Sequence, residues 1–469
     1  MSQKKSKYPI IESLAIIDMA AEGKSLGKVE EQVVFVPNTV PGDVVRVQIN
    51  NKRRRFMEGY VLEYLILSPL RVEPLCKHYG ECGGCKWQAL PYANQLEFKQ
   101  RQVRDQLTRL SGVEIPNLLP IIGSKLTENY RNKLEFTFSP KRWIPRAEAL
   151  EGVEILPSPA LGFHIPGMFD KILDIEKCYL QAEPSNAIRL AVKEFAVEHD
   201  MAFYDIRLHT GLLRNLVIRT STTGELMVIV VFGEEQTEPI KLILDFIANK
   251  FVEITSLYYI VNTKLNDSSA DQQPILHSGK AYIEEEMEGL RFRINPKSFY
   301  QTNSLQAHEL YKVVRDFAEL TGSETVYDLY TGAGTIANFV ARQSARVVGI
   351  EYVNEAIEDA KVNSKLNSIP NTEFFAGDMK DVLNGEFIAA HGYADVVILD
   401  PPRAGIHEDV AKVILEASPQ KIVYVSCNPA TQARDIALFD CNYKVTKVQP
   451  VDMFPHTHHV ENVVQLIKR

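Results

Sequence analysis

Residues 325–335 read TVYDLYTGAGT, and this stretch decides the fold of the C-terminal part of the chain. An apolar run leads directly into a turn that contains Gly332 and Gly334, and a helical pattern follows the turn. Such glycines let the backbone approach a ligand at the carboxyl edge of a parallel sheet. The stretch therefore predicts a nucleoside site on a sheet of the α/β class.

The segments that follow alternate between strand and helix patterns, as βαβ units require. RVVGIEY (346–352), ADVVILD (394–400) and KIVYVSC (421–427) are short apolar runs, and NEAIEDAKVNSKLN (354–367) has helical spacing. Continuous apolar strands are expected in a parallel sheet that is buried on both faces. These patterns predict a Rossmann-like catalytic domain over residues 291–469.

The N-terminal part has the pattern of a small β-barrel. Four short β segments are separated by turns rich in Pro, Asn and Gly: SLAIIDMA (13–20), EQVVFVPN (31–38), DVVRVQINN (43–51) and MEGYVLEYLIL (57–67). Barrels of the oligonucleotide-binding type commonly hold nucleic acid, although other barrels do not. We predict such a barrel, of the OB-like class, over residues 1–67.

The middle of the chain, residues 68–290, is predicted to be a β-rich α+β domain. Apolar residues recur with helical spacing between Tyr92 and Leu110, and a second helix is predicted near Glu183–His199. From Tyr130 to about Arg293 the remaining pattern is mostly β. We expect the helix at about 92–112 to pack on the catalytic domain.

Charge is distributed unevenly along the 469 residues, whose net charge is −8. Residues 1–150 carry 23 Lys and Arg against 16 Asp and Glu, whereas the rest carry 29 against 44. A basic region that includes Lys52–Arg55 is suited to contact phosphates, although it could equally be an ordinary solvated face. Apolar (45%) and charged (24%) fractions near globular averages exclude a disordered or collagen-like chain.

No apolar run is long enough to span a membrane. The basic N-terminus is interrupted by Glu12 and Asp18 and lacks a cleavage site, so it does not predict a signal peptide. We therefore expect a cytoplasmic protein without a membrane partner.

A candidate cofactor site follows from the glycine turn. Glu351 comes 19 residues after Gly332, at the end of the next predicted strand, where a carboxylate can bind both ribose hydroxyls of a nucleoside. The spacing of Gly332, Gly334 and Ala337 also fits a looser dinucleotide pattern, so a nicotinamide cofactor remains open on this motif alone.

Three further motifs point to one cofactor. Asp328 precedes the glycines, Asp378 follows the strand EFFA, and the sequence DPPR (400–403) ends the strand ADVVILD. This order resembles S-adenosylmethionine-dependent methyltransferases. The resemblance implies that Asp378 lies near the adenine and that Asp400 lies near the reacting base.

Candidate catalytic residues lie farther along the same sheet edge. Cys427 ends the strand KIVYVSC, and Glu461 closes the segment DMFPHTHHVE (452–461), which we predict to be part of a β-hairpin. Methylation at carbon 5 of a pyrimidine needs a nucleophile that adds to carbon 6 and a base that removes the carbon-5 proton. A buried cysteine is more often a packing residue, but its position beside the DPPR motif favours the catalytic role.

The motifs DPPRAG (400–405), IVYVSCNPAT (422–431) and DMFPHTHHVE (452–461) together resemble the RNA uridine-5-methyltransferase family. The resemblance implies that Cys427 is the nucleophile and Glu461 the base. The residues that it implies for S-adenosylmethionine binding are Gln301, Tyr330, Gly332, Gly334, Glu351, Asp378 and Asp400. The absence of a second cysteine beside Asp400 favours uracil over cytosine.

Four cysteines form a candidate metal site. Cys76, Cys82 and Cys85 lie close together in sequence, and Cys178 lies far downstream. Four thiolates can hold an iron–sulfur cluster or zinc, and the spacing alone leaves both open. It resembles the iron–sulfur branch of the same family, which implies a [4Fe-4S] cluster and an RNA-binding TRAM domain at the N-terminus.

We therefore predict transfer of a methyl group from S-adenosylmethionine to carbon 5 of a uridine in RNA. The resemblance favours 23S ribosomal RNA as the partner, with the T-loop of transfer RNA as the alternative. A non-catalytic RNA-binding module and an NAD-dependent oxidoreductase are the rival hypotheses, and the latter gives no role to Cys427 or Glu461. No obligate protein partner is evident.

Overall fold

The computed structural model describes residues 8–145, 148–149, 157–266 and 271–469. Residues 1–7, the start of the predicted barrel domain and of the N-terminus considered above as a signal peptide, lie outside these ranges. No helix within the described ranges is long and apolar enough to cross a membrane.

Five strands close into a barrel at the start of the described chain, in the order β1-β2-β3-β5-β4. They are β1 (Ile10–Met19), β2 (Ser25–Val29), β3 (Gln32–Val36), β4 (Val44–Lys52) and β5 (Phe56–Ile66). Alternate residues such as Leu14, Val34 and Val47 point inward and form the barrel core. The predicted barrel is confirmed, and β2 is an additional strand.

The chain that leaves the barrel is fastened to it by a buried carboxylate. Asp43 accepts hydrogen bonds from the backbone N–H of Ser68 at 2.9 Å and from the Arg71 guanidinium at 2.7 and 2.8 Å. Asp43 is fully buried, so these bonds are shielded from solvent. The exit from the barrel is therefore a fixed connection.

The first long helix, α1 (Tyr92–Leu110), has the bounds that its helical spacing predicts. Its buried residues Val103 and Leu107 belong to the same apolar cluster as Ile436 and Phe439 near the C-terminal end of the chain. The helix therefore packs on the catalytic sheet described below.

The middle of the chain forms a seven-stranded sheet in the order β12-β11-β10-β9-β6-β7-β8. Its strands are β6 (Lys133–Ser139), β7 (Ala160–Ile165), β8 (Met168–Asp174), β9 (Leu213–Thr220), β10 (Leu226–Phe232), β11 (Ser256–Val261) and β12 (Ile275–Gly279). Helices α2 (Ser185–Glu198) and α3 (Thr237–Lys250) cover one face. Residues of the other face, such as Met227 and Ile229, share a core with the catalytic sheet.

A short hairpin, β13 (Ile283–Met287) and β14 (Leu290–Ile294), leads into the catalytic part. The second seven-stranded sheet has the order β17-β16-β15-β18-β19-β21-β20. Its strands are β15 (Thr325–Leu329), β16 (Arg346–Glu351), β17 (Thr372–Ala376), β18 (Val396–Leu399), β19 (Lys421–Ser426), β20 (Tyr443–Val451) and β21 (Glu461–Lys468). Strands β15 to β19 are parallel, and β21 and β20 complete the sheet as an antiparallel hairpin.

Helices cover both faces of the catalytic sheet, which confirms the predicted α/β class. They are α4 (Ser304–Ala318), α5 (Thr335–Ala341), α6 (Asn354–Leu366), α7 (Met379–Val382), α8 (Gly385–His391), α9 (Glu408–Ala417) and α10 (Pro429–Phe439). Val326 and Val347 pack with α4, α5 and α6, whereas Tyr327 and Val348 pack with α9 and α10 on the opposite face. The sheet is therefore packed between two layers of helices, which fix the position of its carboxyl edge.

Candidate active site

The carboxyl ends of β15, β16, β17 and β18 meet at one edge of the catalytic sheet. Ligands of open α/β sheets bind at this edge. The predicted cofactor residues Tyr330, Glu351, Asp378 and Asp400 each stand at or directly after the end of one of these strands. The sheet therefore brings them together although they are distant in sequence.

The glycine turn that follows β15 has the backbone conformation that its composition predicts. Gly332 has a φ of 55° and Gly334 a φ of 73°, values that favour glycine. A Cβ atom on Gly334 would lie 2.8 Å from the Cβ of Ala360 in α6, whereas one on Gly332 would enter open space. Gly334 thus permits close packing of the turn on α6, and Gly332 leaves the backbone accessible to a ligand.

Glu351 is held beside this turn by two backbone amides. Its carboxylate accepts hydrogen bonds from Gly332 N at 3.2 Å and from Val353 N at 3.0 Å. A carboxylate oxygen has more than one acceptor position, so both oxygens can still bind hydroxyl groups. Glu351 is thus oriented for the ribose contact predicted from its spacing.

Tyr330 adopts a left-handed φ of 67° and lies near Glu351 and Asp378. Burial, reinforced by nearby acidic groups, raises the pKa of its hydroxyl to about 12. Asp378 begins α7 by accepting a hydrogen bond from Lys380 N at 3.3 Å, and the Gly377 amide donates to the Glu351 carbonyl at 2.9 Å. These contacts connect the ends of β15, β16 and β17.

Two carboxyl groups lie at the centre of the edge, of which Asp328 is fully buried and Asp400 is partly buried. Burial raises the pKa of Asp328 and that of Asp400 to about 7. One Asp328 oxygen accepts a hydrogen bond from the Thr331 hydroxyl, and the other is buried without a well-formed hydrogen bond to any described residue, with the backbone amide of Ala337 as its nearby donor. A buried carboxylate oxygen without a well-formed hydrogen bond is costly, and a bound polar or cationic ligand would relieve that cost.

Gln301 approaches the site from the chain segment before α4. Its backbone carbonyl accepts a hydrogen bond from the Asn132 side chain at 2.8 Å, and Asn132 N donates to the carbonyl of Thr302 at 2.8 Å. The Gln301 side chain interacts with Tyr311, a buried residue that also lies near Asp328, Asp400 and Glu461. The middle domain thus helps to hold a predicted cofactor contact.

Cys427 and Glu461 face each other across the β19–β21 ladder. Ser426, the last residue of β19, is paired with Asn462 in this antiparallel register, so the continuation of the register sets Cys427, directly after β19, opposite Glu461, which begins β21. Burial first, and then Glu461, raises the pKa of the Cys427 thiol to about 11. Burial, with Asp400 nearby, raises the pKa of Glu461 to about 8. The two predicted catalytic residues therefore share one site with Asp400.

Arg403 is a functional candidate that the sequence analysis did not single out, although it lies in the quoted DPPR motif. Its guanidinium lies beside Cys427 and lowers the pKa of that thiol against the effect of burial. Its backbone carbonyl accepts hydrogen bonds from Asn428 Nδ2 at 3.2 Å and Thr431 Oγ1 at 3.1 Å. Tyr311 and Asn132 were also missed, because neither lies in a local motif.

Two histidines of the segment before Glu461 lie near Arg403. Burial lowers the pKa of His458 to about 3 and that of His459 to about 4, and Arg403 is among the cations that contribute. Their ring centroids are 4.1 Å apart. Both rings are therefore neutral at physiological pH.

Three of the four predicted metal ligands lie on the segment between β5 and α1, and the fourth, Cys178, lies between β8 and α2. Burial raises the pKa of Cys82 to about 11 and of Cys85 to about 12, and Cys178 lies close enough to contribute in both cases. All six cysteines are free thiols. Across the described ranges, however, no group of three or more His, Cys, Asp or Glu side chains is arranged as a metal site.

Comparison with known families agrees with this geometry. A family described as tRNA (uracil-5-)-methyltransferase matches residues 267–469, and the TRAM domain matches residues 11–62. The first match contains the Cys427–Glu461 pair, and the second covers most of the barrel.

Relatives are similar to almost the whole chain. An uncharacterized RNA methyltransferase of Bacteroides thetaiotaomicron is 60% identical over 96% of this chain and 99% of its own length. Another, from Porphyromonas gingivalis, is 56% identical over 97% of this chain and 99% of its own length.

A solved structure has a similar architecture. The Pyrococcus abyssi tRNA (uracil-54, C5)-methyltransferase, in complex with S-adenosyl-L-homocysteine, matches with a TM-score of 0.75 and 29% identity. The match covers 97% of this chain and 100% of the Pyrococcus chain. From its fold, its site and these relatives, the chain belongs to the family of S-adenosylmethionine-dependent RNA (uracil-5-)-methyltransferases.

Proposed function

We propose that this enzyme methylates carbon 5 of a uridine through a covalent adduct on Cys427, with Glu461 as the base. The observation that carries the proposal is the register of β19 and β21, which sets these residues opposite each other at the carboxyl edge. A thiol and a carboxyl group on one side of a flat ring can serve two consecutive steps of the same reaction.

The reaction follows from the electronic character of uracil. The Cys427 thiolate adds to carbon 6, and the ring becomes an enolate. Carbon 5 of the enolate takes the methyl group that S-adenosylmethionine supplies, and the S–CH3 bond breaks to leave S-adenosylhomocysteine. Glu461 then removes the proton from carbon 5. The electron pair of that C–H bond restores the double bond, and the C6–S bond breaks to release Cys427 as a thiolate.

Neighbouring residues support these roles. Arg403 favours the thiolate form of Cys427 by its positive charge. Glu461 is protonated at neutral pH in the free protein, because burial raises its pKa to about 8, and it must ionise before it can accept a proton. Asp400 lies near both groups. A carboxyl group at the position of Asp400 is suited to lie between the cofactor and the uracil and to contact both.

The residues at the sheet edge fit S-adenosylmethionine. Glu351 is oriented for ribose hydroxyls, the turn at Gly332 is open, and Asp328 has a buried oxygen without a well-formed hydrogen bond to any described residue. We propose Gln301, Tyr330 and Asp378 as further contacts. The sulfonium charge of the cofactor would compensate the buried carboxyl groups.

We propose a [4Fe-4S] cluster on Cys76, Cys82, Cys85 and Cys178. Support comes from the chemistry of the donors, since four partly buried thiols lie near one another, and four thiolates can hold an iron–sulfur cluster. Iron, sulfide and visible absorption should be lost in Cys82→Ser and retained in Cys441→Ser, which changes an exposed cysteine. Zinc in place of iron in the unaltered protein would replace the proposal by a zinc site.

We propose three functional units and one substrate. Residues 1–67 bind RNA, residues 68–290 carry the cysteine cluster, and residues 291–469 transfer the methyl group. The substrate proposed is a uridine of 23S ribosomal RNA, supported by the resemblance of the cysteine pattern to the iron–sulfur branch. Transfer RNA is the second candidate, supported by likeness to the Pyrococcus abyssi enzyme, which acts on uracil 54 of tRNA.

The test is to map 5-methyluridine by mass spectrometry in ribosomal and transfer RNA from a strain that lacks this gene. We expect one or more 23S positions to lose the modification and to regain it when the intact gene, but not a Cys427→Ala gene, is returned. Loss only in transfer RNA would keep the chemistry and change the substrate. Normal 5-methyluridine at every position would contradict the proposal.

A further inference from the structure

The loop of residues 452–460 connects β20 to β21 and ends where Glu461 begins its strand. Val451 is paired with Glu461, so the first and the last residue of this loop both lie next to the proposed catalytic base, Glu461. Hairpin connections are usually two to five residues long, and a longer ordered one suggests a function of its own. The position of Glu461 therefore depends on how this loop is held.

A buried ion pair holds the first residue of the loop. Asp452 accepts hydrogen bonds from Lys99 Nζ at 2.6 Å, from the Tyr92 hydroxyl at 2.7 Å and from Phe454 N at 3.0 Å. Lys99 also donates to the Phe454 carbonyl at 3.0 Å. Both members of the Lys99–Asp452 pair are fully buried.

The other backbone carbonyls at the start of the loop are also held from outside it. Asn303 Nδ2 donates to the Met453 carbonyl at 3.0 Å, and the Tyr130 hydroxyl donates to the Pro455 carbonyl at 2.9 Å. The His456 carbonyl accepts from Lys86 N at 2.8 Å and Trp87 N at 3.0 Å. Four consecutive carbonyls, from Met453 to His456, thus have partners on other elements.

His456 has a further anchor and a strained backbone. Its N–H donates to Gln95 Oε1 at 2.8 Å, and its φ of 65° is unusual for a residue other than glycine. Such a conformation persists when the surroundings over-determine it. The loop is therefore fixed in one conformation and is not a passive connection.

The fact that this buried contact is an ion pair, and not an apolar contact, indicates its role in the protein. Replacing a buried ion pair by apolar residues often preserves or increases stability, so stability alone does not explain Lys99 and Asp452. Buried polar pairs are best known for fixing one register of packing. Here the register fixed is that of the 452–460 loop against α1.

We propose that Lys99 is a positioning residue, which with Tyr130 and the backbone after Cys85 fixes the 452–460 loop and thereby sets Glu461 against carbon 5 of the substrate. The inference rests on the proposed role of Glu461 as the base. It also gives the cysteine segment a structural function, because Lys86 and Trp87 directly follow Cys85. Lys99 of α1 and the backbone after Cys85 then act on the reaction only through the position of Glu461, and they contribute no reacting group.

The test separates base placement from folding. The full-length enzyme, as purified, is mixed with substrate RNA and methyl-labelled S-adenosylmethionine, and the RNA–protein adduct that survives denaturation is measured with product. Lys99→Met should lower turnover by roughly 10- to 100-fold, because a small displacement of a catalytic group has such effects. Methylated adduct should accumulate, since proton removal becomes the slow step, while the affinity for S-adenosylhomocysteine should stay unchanged.

Two further variants accompany it. Tyr130→Phe removes one hydrogen bond without leaving a buried charge, and we expect the same accumulation to a smaller extent. Arg104→Met removes a positive charge from the exposed face of α1 and should behave as the unaltered enzyme. If Lys99→Met does not fold, Tyr130→Phe decides the question.

Normal turnover in Lys99→Met, or slow turnover without adduct, would overturn the proposal, and so would Tyr130→Phe without adduct. Glu461→Gln is run in parallel as the reference. If Glu461→Gln forms no adduct, the proposed base is wrong and the positioning role falls with it. If Glu461→Gln forms adduct and the two positioning variants do not, only the positioning role is wrong.

Discussion

Cys427, the proposed nucleophile, lies in an environment that suppresses its reactive form. Because burial and Glu461 raise the pKa of its thiol to about 11, the free protein contains little thiolate at neutral pH. A positive charge that enters the site favours the ionised forms of Cys427, Asp400 and Glu461 together. We therefore expect cofactor binding and thiol activation to be coupled.

The first prediction at the residue scale concerns this thiol. Cys427→Ala should lower formation of 5-methyluridine by about 10⁴-fold or more, because a nucleophile has no substitute in this mechanism. Binding of S-adenosylmethionine, measured by calorimetry, should persist. Cys441→Ala is the matched control and should retain full activity, and activity of Cys427→Ala near that level would refute the covalent route.

A second residue-scale prediction concerns Asp400. Burial raises its pKa from 3.8 to about 7 in the folded protein, so the unfolded chain gives up this proton more readily. The Asp400 carboxyl group of the folded protein is therefore neutral at pH 4, and it has little effect on the free energy of unfolding there. It destabilises the free protein increasingly as pH rises from about 4 to about 7, by up to about 4 kcal/mol.

Asp400→Asn should consequently be more stable than the unaltered protein at pH 8 and similar to it at pH 4, as measured by urea unfolding without cofactor. Asp395→Asn, which changes an exposed residue at the other end of β18, is measured alongside for comparison. Parallel stability curves for Asp400→Asn and the unaltered protein would contradict the prediction.

Part of the proposed site could be predicted from the sequence, because some of its residues lie in short motifs at strand ends. Cys427, Glu461 and Asp400 are such residues, and the sheet brings them to one edge. Lys99 and Asp452 could not be paired in this way, since they are separated by 353 residues and neither has a distinctive local motif. A buried pair is defined by packing that a single sequence does not reveal.

At the scale of elements, the turn between β15 and α5 has the least tolerance for change. We predict that Gly334→Ala costs about 1–3 kcal/mol, because it combines a left-handed φ with a Cβ that would lie 2.8 Å from Ala360. It should also weaken S-adenosylmethionine binding. Urea unfolding and calorimetric titration measure the two effects.

Gly385→Ala is the control for this substitution, since a Cβ there meets no atom within 4 Å and its φ is not left-handed. It should leave both stability and cofactor affinity almost unchanged. Equal behaviour of the Gly334 and Gly385 variants would show that the turn tolerates a side chain.

Elements with a strong period were predicted more accurately than short ones. Helix α1 has the predicted bounds because its apolar residues follow helical spacing over 19 residues. Strand β2, with the sequence SLGKV, has only five residues and an internal glycine, so its local pattern is weak. It is a strand because it pairs with β1 on one side and with β3 on the other in the closed barrel.

At the scale of the whole molecule, a cluster of positive charge lies on the barrel, the part that we propose binds RNA. Lys52–Arg55 lie exposed at the turn between β4 and β5 of the barrel. We predict that changing Arg53, Arg54 and Arg55 to Ala weakens RNA binding and lowers the slope of log affinity against log salt by roughly 2. Filter binding at several salt concentrations measures this slope.

Lys361→Ala with Lys412→Ala provides the comparison, because both residues are exposed lysines on the catalytic part. That double variant should keep the original slope if the barrel is the main phosphate contact. The same reduction in slope for both variants would assign the effect to overall charge and not to the barrel.

The loop of residues 452–460 also limits how this enzyme can be recombined with others. A chimera joined at residue 291 would separate Glu461 from Lys99 and Tyr130, which hold its loop, and would lose the placement of the base. A junction directly after Arg71 would exchange the barrel and keep Asp43 together with its partners Ser68 and Arg71. To change the RNA target, residues 72–469 should therefore be kept together from one parent, and only the barrel should be exchanged.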